Sequence, residues 1–120
     1  MATTDSCCTL VPYFKVPPEK LSDFKQLCEK LVEKTSREPQ CLYYGFSFSE
    51  DEAHCREGYE NAEGVLAHLD NIAALLEQAL QITEITQLEV HGPATELAIL
   101  REPLADLNPV FFTLEYGFRR

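Results

Sequence analysis

Alternation, helical spacing and punctuation together predict an α+β fold with helices laid on one face of an antiparallel sheet. Strand-forming runs occupy Thr9 to Val16, Cys41 to Ser49, Ala53 to Tyr59 and Thr83 to His91. Between the first and second runs, and again between the third and fourth, apolar residues recur every three or four positions instead. Pro, Gly and Asn fall at the boundaries. A chain of 120 residues makes one domain, residues 1–120, large enough to bury a core without staples.

The first strand, TLVPYFKV, is rich in strand formers, and Pro12 within it lacks a donor, so a bulge or an unpaired side is expected there. Pro17-Pro18 ends it. Pro18 and Glu19 suit the first turn of a helix running from about Glu19 to Ser36. Leu21, Phe24, Leu27, Cys28, Leu31 and Val32 form its apolar face, and Lys20, Asp23, Lys25, Glu29, Lys30, Glu33 and Lys34 the opposite one. Glu38-Pro39 stops the helix. In Cys41 to Ser49, Leu42, Tyr44, Phe46 and Phe48 point one way and the small or partly polar residues the other.

After the acidic turn Glu50-Asp51-Glu52, Ala53 to Tyr59 returns as the hairpin partner, with Ala53, Cys55, Glu57 and Tyr59 on one face. Asn61 is a good N-cap and Glu63 lies in the first turn. Val65, Leu66, Leu69, Ile72, Leu76 and Leu80 then form a stripe, which Asn71 can divide by capping a second helix. Thr83 to His91 is the fourth strand, closed by Gly92-Pro93. A short helix is expected over Ala94 to Leu107, and a last strand over Val110 to Phe118.

The element order is β-α-β-β-α-β with an added α-β. Its first six elements make the split β-α-β pattern called ferredoxin-like. The face carrying Leu42, Tyr44, Phe46 and Phe48 is too apolar to be left bare. The helices cover one face of the sheet, so this other face must be covered by something else. A second copy of the chain is its simplest cover, which is the argument for a homodimer.

Twenty acidic against ten basic residues give a net charge of −10, which argues against a nucleic-acid or anionic-membrane surface. No apolar run approaches the ~20 residues that span a bilayer. The N-terminal MATTDSCC has neither the basic nor the apolar part of a signal peptide. The five cysteines are odd in number and form no CxxC pair or metal-ligand cluster, so reduced thiols in the cytoplasm are expected. There is no Walker loop, GxGxxG, GxSxG or HExxH, so no cofactor and no metal is expected.

Chemistry concentrates in Arg56 to Asn71, REGYENAEGVLAHLDN. His68 falls at the margin of the leucine stripe, half in a pocket, where an imidazole transfers protons near neutrality. Its structural alternative is a packed ring bonded to a backbone carbonyl. Glu57 shares a strand face with Tyr59. A carboxyl among aromatics has a raised pKa and acts as a base, whereas an ion pair with Arg or Lys would leave it structural. Tyr44 and Tyr59 are candidates for holding a phenolic substrate, with Asn71 beside them, though each tyrosine also suits a core. His54 lies on the face opposite Glu57, and His91 reads as a turn residue beside Gly92-Pro93.

Glu57-Gly58-Tyr59, Glu60-Asn61-Ala62 and Ala67-His68-Leu69 resemble the antibiotic biosynthesis monooxygenase domain family, within the dimeric α+β barrel superfamily. By element order the resemblance covers about Leu10 to Gly92. It implies a dimer with sheets face to face and a pocket in each protomer between sheet and helices. It also implies cofactor-independent oxygenation of a small aromatic or quinol, with His68 or Glu57 as the base. Haem-degrading relatives use a Trp that this chain lacks, and no second His follows His68 at short range. The alternative on the same fold is a non-catalytic dimeric module that binds a small apolar ligand or a partner. That module would have a closed or purely apolar pocket.

Overall fold

The computed structural model describes residues 2–120. Five strands and three α-helices alternate as β1 (Cys8–Lys15), α1 (Leu21–Thr35), β2 (Cys41–Ser49), β3 (Glu52–Tyr59), α2 (Ala62–Ile82), β4 (Glu84–Gly92), α3 (Ala94–Leu100) and β5 (Val110–Thr113). Single 3-10 turns precede α1 at Pro18–Lys20 and follow α3 at Ala105–Leu107. The strands lie in the order β2-β3-β1-β4-β5.

Among themselves the first four strands pair antiparallel, as the ferredoxin-like pattern requires. β5 corrects the expectation of a purely antiparallel sheet, because it runs parallel to β4. The segment through α3 carries the chain back along the sheet, and a strand entered after such a crossover runs in the same direction as the one before it. Pro12 acts as its missing donor dictates: β1 pairs with β3 at Cys8 to Leu10 and at Tyr13 to Lys15, and the ladder is interrupted between them.

Three boundaries differ from the sequence reading. Helix α2 runs unbroken through Asn71, whose amide reaches across to α1 instead of capping a new helix. Helix α3 stops at Leu100, because Pro103 has no N–H and disfavours helical backbone at the residue before it. The last strand ends at Thr113, and Tyr116 makes only an isolated bridge to Ala2. The N-cap is as expected: Asn61 accepts from the Gly64 N–H at 2.9 Å. A second acceptor comes from α3, where the Glu96 carboxylate takes the Ala62 N–H at 2.8 Å.

The placement of the aromatic face is the main correction. Tyr44, Phe46 and Phe48 lie beneath the helices, with Phe24 of α1 packed edge-on against Phe46 and Phe48. Leu42 leaves the alternation at a register shift between Cys41 and Tyr43. The apolar stripes of α1 and α2 need apolar partners, so the richer sheet face turns toward them. The uncovered face instead bears Thr9, Val11, Tyr13, Tyr43, His54, Arg56 and His91. Its contacts are mixed: Tyr13 stacks edge-on with His54, Arg56 lies over the Tyr43 ring, and the Thr9 and Tyr43 hydroxyls share a hydrogen bond of 3.2 Å.

The covered side holds two apolar clusters. One joins β1, β3 and β4 to α2 and α3 through Leu10, Tyr59, Val65, Val90, Leu97 and Leu104. The other joins Phe14, Val16 and Ala53 to Phe24, Leu27 and Ala79. All five cysteines are free, and Cys41 faces Tyr59 across the hairpin.

Candidate active site

Between the two clusters the sheet and helices part around a narrow cavity of about 50 Å³. Its walls are mostly aliphatic, from Leu10, Leu31, Leu69, Ile72, Leu88 and Leu104 among others. Tyr44, Glu57 and His68 supply the polar groups. Strand alternation sends Tyr44 of β2 and Glu57 of β3 to the helix face, where the register sets them directly opposite each other. His68 comes from the sheet-facing side of α2. It is 2% exposed, which corrects the half-open ring expected at the stripe margin.

Glu57 is 4% exposed and has no Arg or Lys partner among the described residues. The Tyr59 hydroxyl donates to its Oε1 at 2.7 Å. His68 Nε2 stands 3.4 Å from the same oxygen. On the other side of the ring, Nδ1 lies 2.9 Å from Glu38 Oε2 and 3.1 Å from Oε1. The imidazole is thus held between two carboxyls, one buried and one near the surface. Asn71, a turn further along α2, donates to Glu38 Oε2 at 2.8 Å and to the Lys34 carbonyl at 3.3 Å. The Tyr44 and Tyr59 rings flank the imidazole, with centroids 5.3 and 5.1 Å from it.

Burial sets the protonation of this cluster. Glu57 is pushed up to about 7 by desolvation, held back by hydrogen bonds from Tyr59 and Cys55 and raised further by the nearby Glu38 charge. Burial pushes the Tyr44 and Tyr59 phenols and the Cys55 thiol upward, and the Glu57 charge adds to each rise. His68 is pushed down by burial, against the hydrogen bond and charge of Glu38. Near neutral pH the tyrosines and the imidazole are therefore uncharged. Glu57 is poised between acid and base, in the range where proton transfer is most effective.

The structure brings together His68, Glu57 and Tyr44 at one cavity wall. Tyr59 stands behind Glu57 and reaches the cavity only through it. Asn71 does not line the cavity and anchors Glu38 instead. His54 is on the outer face, and His91 is a strand residue, stacked on Phe112 and 3.0 Å from Glu89, in place of the expected turn residue. Glu38 is the residue that sequence reasoning missed. Its neighbour Pro39 marked it as a helix stop, and nothing local signals a partner thirty positions away. Among the described residues no cluster has the makings of a metal site, and no helix is long and apolar enough to cross a membrane.

No family profile and no curated protein matches the chain in sequence. Solved structures do. MupZ from Pseudomonas fluorescens is 48% identical over 100% of this chain and 94% of its own, with a TM-score of 0.95. A Nitrosomonas europaea protein provisionally assigned as an antibiotic biosynthesis monooxygenase is 15% identical over 78% of this chain and 96% of its own, at a TM-score of 0.69. A Caulobacter crescentus protein with the same provisional assignment is 21% identical over 72% and 88%, at 0.63. The two distant likenesses speak for the fold alone, whereas the first reaches across the whole sequence. The chain belongs to the family of MupZ, built on the fold of the antibiotic biosynthesis monooxygenases.

Proposed function

We propose that this chain is a cofactor-independent acid–base enzyme acting on a small, largely apolar molecule held between sheet and helices. Glu57 and His68 are its proton-transfer pair, and Tyr44 positions the substrate. One observation carries the reading: a buried carboxyl poised near neutrality, without a basic partner, faces an otherwise apolar cavity beside an uncharged imidazole. A core built only for stability gains nothing from such a group, because burying an unpaired carboxyl costs free energy. The same convergence disfavours the non-catalytic module, whose pocket would be closed or lined by apolar groups alone.

The fold suggests oxygenation of a quinol or related aromatic as the first chemistry to test. Glu57 takes a proton from the substrate, and the resulting anion passes an electron to dioxygen. The radical pair joins as a peroxide anion, which takes up a proton from solvent, and the resulting hydroperoxide loses water to leave a carbonyl. The substrate supplies the electrons, so no external reductant is needed. A second reading has support of its own. The mostly aliphatic walls and the partly protonated Glu57 also suit an acid–base rearrangement that consumes no oxygen.

Oxygen uptake with a panel of quinols and apolar acid-labile compounds, followed across pH 6 to 9 in air and under argon, separates the readings. Uptake above the buffer rate supports oxygenation. Equal turnover under argon leaves only the oxygen-independent reaction. No turnover of any compound by the wild type, with tight binding of one, favours the non-catalytic module.

A cytoplasmic homodimer is part of the same proposal. Five free thiols suit a reducing compartment, and the mixed outer sheet face, with Tyr43 and Phe112 partly exposed, suits a second copy. Sedimentation velocity checks the assembly, with a single species at the monomer mass as the contrary result.

A further inference from the structure

We propose that Glu38 is the outer station of a proton relay, with His68 as carrier, joining the buried Glu57 carboxyl to solvent. The inference rests on reading Glu57 as a proton-transfer group. Such a group must regain or lose its proton between turnovers, and with substrate filling the cavity its exits are few. Tyr59 is fully buried and Cys55 is 1% exposed, so these two hydrogen-bonding neighbours of Glu57 lead nowhere. His68 leads outward. Its two nitrogens face two different carboxyls, Nδ1 at hydrogen-bond distance from Glu38 and Nε2 3.4 Å from Glu57 Oε1. The Glu38 side chain is 10% exposed against 2% for His68, so the chain of contacts ends at water.

The transfer balances atom by atom. A proton on Glu57 Oε1 moves to Nε2 of an imidazole that carries its own proton on Nδ1. The imidazolium gives the Nδ1 proton to Glu38, which releases it to water. Glu57 is left ionised and the ring protonated at Nε2. A proton entering by the same route in reverse restores the starting state.

The titratable groups against the carrier are Glu57, Tyr59, Tyr44 and Glu38, drawn from β3, β2 and the connection before β2. Only Glu57 and Glu38 are carboxyls. Asn71 serves as positioning residue by holding Glu38 Oε2 at 2.8 Å, so that the carboxylate stays aimed at Nδ1.

The test needs no substrate. In the full chain labelled with 15N-histidine and 13C-glutamate, NMR reads the His68 tautomer and the exchange of its ring proton with water. The wild type should show the Nδ1–H tautomer. Glu38→Gln keeps the volume and an acceptor but cannot take up a proton. It should slow exchange on the order of a hundredfold, the low end of what a positioned base contributes. Glu38→Asp should recover most of that loss, which a purely orienting role for Glu38 does not predict. Glu38→Met, similar in volume and without an acceptor, is the second variant should the first not fold.

Exchange in a folded Glu38→Gln or Glu38→Met protein equal to the wild type overturns the relay. Slowed exchange in a protein that turns nothing over leaves the relay standing and overturns the enzyme reading. Unchanged exchange in an active enzyme does the reverse.

Discussion

Replacing Glu57 by Gln should stabilise the protein at pH 8 and change it little at pH 5. The unfolded carboxyl titrates near 4.5 and the folded one at about 7. Between those values the folded state holds more protons than the unfolded state, so stability falls as pH rises through this window and levels off above it. A rise of about 2.5 units corresponds to about 3 kcal/mol at pH 8, and to under about 1 kcal/mol at pH 5, which lies only just above the unfolded value. Gln fills the same space, and its carbonyl can still accept from Tyr59, so the substitution removes the charge and little else. Urea unfolding of both proteins at both pH values is the assay. With a slope of roughly 1.5 kcal/mol/M, the midpoint at pH 8 should rise by about 2 M. His68 acts in the opposite sense, because its folded pKa lies below the unfolded value and stability is lost as pH falls below about 6.5. Comparing variant with wild type at each pH removes that contribution. The reasoning is refuted if the difference between the two proteins is the same at pH 5 and pH 8, or if Gln destabilises at pH 8.

Tyr59→Phe removes the donor to Glu57 Oε1, so the Glu57 carboxyl should titrate higher than in the wild type by 13C NMR, with a stability loss of about 1–3 kcal/mol. Asn61→Ala leaves the Gly64 N–H uncapped at the start of α2 and should cost roughly 1 kcal/mol in a denaturant melt, with Glu96 still holding Ala62. Leu104→Ala empties a fully buried position at the cavity wall and should cost about 2–5 kcal/mol, while enlarging the space that an apolar dye can enter. Gly58→Ala directs a methyl into the Tyr43 ring on the outer sheet face. It should disturb Tyr43 and its bond to Thr9 while leaving the Glu57 titration unchanged.

Each element rests on a signal of a few residues, and those signals were legible. Strand alternation placed Glu57 and Tyr59 on one face. The Asn61 cap fixed the start of α2, and the leucine stripe oriented it. Where reading failed, a distant partner or an overlooked breaker had intervened. Asn71 looked like a helix break because its side chain competes locally for backbone groups, yet in the fold it is occupied by Glu38 and Lys34. Pro103 ended α3 earlier than the leucine spacing suggested. The aromatic face of β2 looked uncovered because alternation names two faces without saying which one the helices take.

Periodicity, caps and prolines are local, so the sequence alone determined the order of elements and the ferredoxin-like core. It also offered His68, Glu57 and Tyr44 as site residues, and the fold set these three around one cavity. Only the tertiary structure decided that Glu38 reaches His68 from thirty positions away, that Tyr59 serves Glu57 from behind, and that β5 runs parallel to β4. Burial and through-space contact are properties of packing, and they set the protonation of Glu57. No local pattern encodes which carboxyl will be left without water or without a charge to pair.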